Sequence, residues 1–129
     1  MNAAAIAPPL AYLVSRYPAV SHTFILREIE RLRSLGHEIH TASINPPDRA
    51  LAAMDAPERA EAEATYGVKA HGAAGALAAL AFWGLRSPLR LAAMLREGWS
   101  LGRGPRGLAY AVEAAMVARW MQSRALQHL

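Results

Sequence analysis

The stretch from residue 10 to residue 45, LAYLVSRYPAVSHTFILREIERLRSLGHEIHTASIN, constrains the fold more than any other part of the chain. It opens with an apolar run, Leu10 to Val14, and continues through a polar turn over 15–22 into a helical pattern that ends at Leu35. Gly36 and a second short run over 38–44 follow. Apolar runs of about five residues are too short for free helices and suit buried strands. Between them Phe24, Ile25, Ile29, Leu32 and Leu35 recur at helical spacing and predict one buried stripe. The opposite face carries Arg27, Glu28, Glu30, Arg31 and Arg33, with Glu28–Arg31 and Glu30–Arg33 spaced to pair their charges. Gly36 stands where a helix C-terminus needs a left-handed residue. Strand, turn, helix, Gly, strand is a βαβ unit, for which parallel strands and a right-handed connection are expected.

The turn of that unit holds the candidate site. Tyr17 precedes Pro18 and is steered away from helical angles, so the chain leaves the first strand in an extended turn. Ser21 or Thr23 then caps the helix by accepting from its free N–H groups. A helix N-terminus at the carboxyl end of a parallel strand is where open α/β sheets bind ligands, anionic ones above all. Arg16 and His22 flank this point. A capped helix behind an ordinary loop satisfies the same spacing.

The run YLVSRYPAVSHTFILREIERLRSLGHEIHTASI resembles the opening of group 1 (family 4) glycosyltransferases of bacterial exopolysaccharide biosynthesis. These begin with a strand, an S-R-x-P-x-x-S-x-T-F-I-L-R-E run, a helix ending L-x-x-L-G, and a second strand. The resemblance is long and nearly gap-free over residues 12–44. It is looser over 46–129, where it rests on helix pattern and on the Ser87-Pro88 break before a Leu/Arg-rich helix. One departure is His22, where the family often carries an acidic residue.

At 129 residues the chain is one domain at most, large enough to bury about two-thirds of its unfolded surface. The absence of cysteine excludes a disulfide framework and a thiolate zinc site. Thirteen of the 14 basic residues are arginine, and from Arg86 to Arg124 seven arginines face only Glu97 and Glu113. Such a half could face an anionic membrane, a nucleic acid or an anionic substrate. The opening MNAAAIAPPL has neither a basic n-region nor a long apolar core, so no secretory signal is expected.

Residues 1–9 are expected to form a frayed lead-in stopped by Pro8-Pro9. Asp48 is a candidate cap for the Ala/Glu-rich stretch 50–64, which Pro57 should split into two short helices with Glu58, Glu61 and Glu63 on a solvated face. A weak third strand is expected over 66–70. The apolar run 73–84 is too short to span a bilayer, which takes about 20 residues. A helix opening at Ser87-Pro88, a Gly-rich break over 102–107 and a helix from about Leu108 to Ser123 follow, and 124–129 resembles the start of another strand.

Three motif matches fail on context. Gly102-x-Gly104-x-x-Gly107 satisfies the dinucleotide fingerprint but follows a helical stretch rather than a strand, and Pro105 removes one N–H, so it is expected to be a helix–helix linker. Glu30 and Glu38 form E-x7-E across a helix and a strand, whereas the family's pair belongs to its other domain. His37 and His40 point to opposite faces of a strand and lack a third ligand, so no metal is expected. The arginine-rich half has no nucleic-acid reader module and no aromatics interleaved with its charges, which argues against nucleic acid. Phe82, Trp83 and Trp99 beside Arg86, Arg90, Arg96 and Arg103 do have the composition of helices on anionic lipid, although core helices with solvated arginines fit as well.

The expected fold class is therefore α/β: an incomplete Rossmann-like parallel sheet of three or four strands, with a helical, basic C-terminal half. The resemblance implies the acceptor-side, N-terminal part of a GT-B hexosyltransferase that moves a sugar from a nucleotide donor, with retention, to a glycan or lipid-linked acceptor. It places the donor domain and its E-x7-E outside this chain, with His128-Leu129 just short of an H-x-H-F segment. The cleft-facing candidates are Arg16, as a charge partner for phosphate or an acidic sugar, Ser21 and Thr23, as caps that offer hydroxyls, and His22, as an adaptable hydrogen-bonding group. No catalytic residue, metal or cofactor is expected within these residues. The expected partners are the acceptor and an anionic membrane surface, and the expected location is cytoplasmic, peripheral at the inner face of the plasma membrane. The competing class is a non-catalytic α/β domain that docks on a membrane or a partner protein.

Overall fold

A computed structural model of the chain describes residues 8–19, 23–102 and 104–126. Contacts divide it into two compact units, one of residues 1–66 with 125–129 and one of residues 67–124.

The first unit is built on β1 (Leu10–Arg16), α1 (Thr23–Ser34) and β2 (Ile39–Asn45). β1 and β2 run parallel, with Leu10 opposite Ile39, Val14 opposite Ser43 and Arg16 opposite Asn45. A two-residue strand β3 (Tyr66–Gly67) extends the sheet in the order β1-β2-β3, so among the described residues the first strand lies at an edge. Alternation along β1 turns Leu10, Tyr12 and Val14 to one face, where they pack with Ile25, Leu26, Ile29 and Leu32 of α1 around buried Tyr17 and Ile39. Phe24 and Leu35, expected in the stripe, are each 62% exposed. Each lies about one helical step, roughly 100°, from the Ile25–Ile29–Leu32 line, and Leu26 takes the remaining core position. Gly36 ends the helix with φ +92°, while His37 N–H donates to the Leu32 carbonyl at 3.1 Å, a left-handed stop of the kind the sequence predicts.

Later in the first unit's sequence comes α2 (Ala56–Ala64). Asp55 caps it, its carboxylate accepting from the Glu58 N–H at 2.9 Å, and Pro57 lies in its first turn. The 50–64 stretch is thus two short pieces, as expected: a 3-10 turn over Leu51–Ala53 and α2, with Pro57 in the first turn of the second, where a residue has no intrahelical N–H bond to lose. Asp48, the expected cap, is instead paired with Arg49. Residues 69–71 form one 3-10 turn, so the third strand is shorter than expected.

The second unit packs α3 (Gly72–Arg86), α4 (Pro88–Leu101) and α5 (Pro105–Ser123) pairwise. Its core is small: Val68, Ala79, Ala111, Ala115, Met116, Val117 and Trp120. The Trp83 indole N–H donates to the Ala115 carbonyl at 3.0 Å. Helices with such small side chains approach backbone to backbone. A Cβ on Gly107 would lie 1.9 Å from the Gly98 carbonyl oxygen, so these two positions exclude any side chain. That is why Gly107 belongs to α5 rather than to the linker. Pro105 begins the helix at a position where proline is favoured. The Gly102–Gly104 stretch joins α4 to α5, as the rejected fingerprint predicts. After α5, Arg124 and Ala125 turn and Leu126 is buried, so no strand is found at 124–126; residues 127–129 lie outside the described residues.

Candidate functional site

The carboxyl ends of β1 and β2 and the first residue of α1 surround the candidate site. β1 continues two residues beyond its apolar run, so Arg16 closes the strand instead of belonging to the turn, and its side chain is exposed. The next three residues turn inward. Tyr17 is 1% exposed, Pro18 and Ala19 are buried, and the Tyr17–Pro18 peptide is cis. Thr23 starts α1 and is exposed. Ser21 and His22 lie outside the described residues. Arg16 and Thr23 thus stand on the two sides of the turn.

Two side chains from the end of β2 hold the turn. Ser43 Oγ accepts from the Tyr17 N–H at 2.9 Å and donates to the Asn45 carbonyl at 2.6 Å. The Asn45 amide donates back to the Ser15 carbonyl at 2.9 Å. The Tyr17 N–H and the Ser15 and Asn45 carbonyls, freed where the chain leaves the ladder, thereby find partners, as buried polar groups require.

Beneath the turn sits a buried ionic cluster. The Tyr17 hydroxyl donates to Glu61 Oε2 at 3.0 Å. Arg33 Nη1 lies 2.7 Å from both Glu61 oxygens, and Nη2 donates to the Ile39 carbonyl at 2.9 Å. Glu61 is 5% exposed, so the solvated face expected of α2 is wrong at this position. A carboxylate survives there because a guanidinium and a phenol satisfy it. Arg33 correspondingly pairs with Glu61 and not, as its spacing suggests, with Glu30. Burial pushes the Tyr17 phenol far above its ordinary range, and the adjacent Glu61 carboxylate pushes it further. Tyr17 therefore stays protonated and donates to Glu61. The cluster is structural: it fixes the turn and leaves Arg16 and Thr23 as the groups presented outward.

Ser43, Asn45 and Glu61 are the supporting residues that sequence reasoning missed. Ser43 and Asn45 carry one weak signal, two polar side chains on alternate positions at the end of a strand. Among the described residues no group of His, Asp and Glu could hold a metal ion. His40 instead bonds Glu38 at 2.6 Å.

Compared with protein-family models, curated proteins and solved structures, the chain gives no match.

Proposed function

We propose that this chain is the acceptor-side part of a retaining GT-B glycosyltransferase of the group 1 (family 4) type, serving polysaccharide biosynthesis. The observation that carries the reading is the β1–α1 turn. It lies at the carboxyl ends of two parallel strands, its aromatic residue is locked inward, and a cation and a hydroxyl are left facing out. The strand order β1-β2-β3 supports the reading, because in a doubly wound sheet with that order the ligand crevice opens beside the first strand. In this assignment Arg16 engages a phosphate or acidic sugar of the acceptor. Thr23 supplies a hydroxyl, and Ser21 and His22 contribute from the same turn. The resemblance assigns the sugar donor to another domain.

Calorimetric titration of the chain tests this assignment. Acidic oligosaccharides from bacterial exopolysaccharides should bind weakly, with Kd about millimolar, and nucleotide sugars should give no heat. Micromolar binding of a nucleotide sugar, or oligosaccharide binding that is equally strong in Arg16→Ala, would overturn it.

A further inference from the structure

We propose that the corner between α3 and α4 is a docking surface for an anionic lipid bilayer, independently of any glycosyl transfer. Three observations in the helical unit carry this proposal. The first is charge. Residues 67–124 hold eight basic and two acidic residues, net +6, whereas the rest of the chain holds six and eight, net −2. The cationic surplus of the protein thus belongs to one unit.

The second observation is the outward face of α3. Ala74, Leu77, Ala78, Ala81 and Leu85 recur at helical spacing, and all are exposed. A helix with one face on a core should be polar on the other, and α3 has no charged residue before Arg86. The apolar surface is most prominent at the corner, where Leu85 is 89% and Leu89 85% exposed. Of the expected aromatics, Trp83 turns inward to the Ala115 carbonyl and the 53% exposed Trp99 lies near the far end of α4, so at this corner the leucines are the groups that enter the acyl layer.

The third is an uncompensated cationic cluster at the same corner. The guanidinium groups of Arg86 and Arg119 lie 5.7 and 5.4 Å from the centre of one ring, that of Phe82. Oriented with its oxygen toward Arg86, the Gln122 amide accepts from both terminal nitrogens, at 3.2 and 2.7 Å. Among the described residues no carboxylate pairs with either arginine. Two like charges held on one ring without a counter-charge are poised for an anion from outside, and Arg90 follows within one turn of α4.

Exposed leucines between cations match a bilayer, whose acyl layer takes the side chains while lipid phosphates meet the guanidinium groups. A second copy fits poorly, because it would set the same arginines against each other. No helix of the described residues is long and apolar enough to cross a membrane, so the contact is peripheral.

Flotation of the full chain with vesicles of phosphatidylcholine alone, or of phosphatidylcholine with phosphatidylglycerol, tests the proposal. Binding should require phosphatidylglycerol and weaken as salt screens the arginines. The double substitution Leu85→Ser with Leu89→Ser should weaken binding at least about tenfold with unchanged helicity. Arg86→Gln should weaken it about fivefold. Leu101→Ser, which alters an equally exposed leucine at the far end of α4, should leave it intact. Equal binding to both vesicles, no binding to either, or full binding by the leucine double variant would overturn the proposal. So would an equal loss in Leu101→Ser, or a dimer in solution that the leucine variant dissociates.

Discussion

Replacing Tyr17 by Phe removes one hydroxyl from the cluster beneath the turn and changes nothing else in size. The hydroxyl donates at 3.0 Å to a carboxylate that is 5% exposed. A hydrogen bond to a charged acceptor contributes about 1.5–3 kcal/mol. Glu61 keeps both of its 2.7 Å contacts to Arg33, so the loss should fall near the lower end, about 1.5–2 kcal/mol. Tryptophan fluorescence cannot report this loss, because Trp83, Trp99 and Trp120 all belong to the helical unit. Amide hydrogen exchange can. In the regime where exchange follows the equilibrium for opening, protection of the Thr41 and Ala42 amides should fall about tenfold to thirtyfold, while that of α5 stays constant. Glu61→Ala should cost more, about 3 kcal/mol, since it leaves both the buried phenol and the guanidinium without their acceptor. A change below about threefold in the Tyr17→Phe variant would refute the claim that this cluster fixes the turn.

Other consequences follow from single contacts. Tyr17 has its folded-state pKa raised above the unfolded value, so its contribution is intact below about pH 10 and is lost as pH rises beyond it. Urea midpoints followed by circular dichroism should therefore drop more steeply toward about pH 11 in the wild type than in Tyr17→Phe, and equal slopes would contradict this. Gly107→Ala places a methyl group 1.9 Å from a backbone oxygen and should destabilise the helical unit by about 3 kcal/mol or more, read by tryptophan fluorescence in urea. A loss under about 1 kcal/mol would show that the helices can part at no cost. Asp55→Ala removes the 2.9 Å cap of α2 and should cost about 1 kcal/mol, seen as faster exchange at Glu58 and Arg59.

The βαβ unit is legible in the sequence because its signals are local. Runs of the right length, a helical stripe and Gly36 all act within a few residues of where they stand. Strand ends are less legible: the ladder reaches Arg16 and Asn45 because backbone pairing continues after the apolar residues stop. Glu61 is illegible for a different reason. Among alanines and other glutamates it has the pattern of a solvated residue, and its burial depends on Arg33 and Tyr17, 28 and 44 residues away. Gly107 fails likewise, since only the neighbouring helix shows that a glycine belongs there. Of the candidate site, the turn shaped by Tyr17-Pro18 follows from sequence, but the burial of Tyr17 and the Ser43–Asn45 support do not, because they need Glu61 and the register of the strands.

Shift mapping by two-dimensional NMR with an acidic oligosaccharide acceptor tests the central claim most directly. If the turn meets a carbohydrate, the amides of Arg16 and Thr23 should move most, with smaller changes at Ser43 and Asn45 and none in the helices of residues 67–124. Shifts confined to those helices, or none at Arg16 and Thr23 at saturating sugar, would contradict the account.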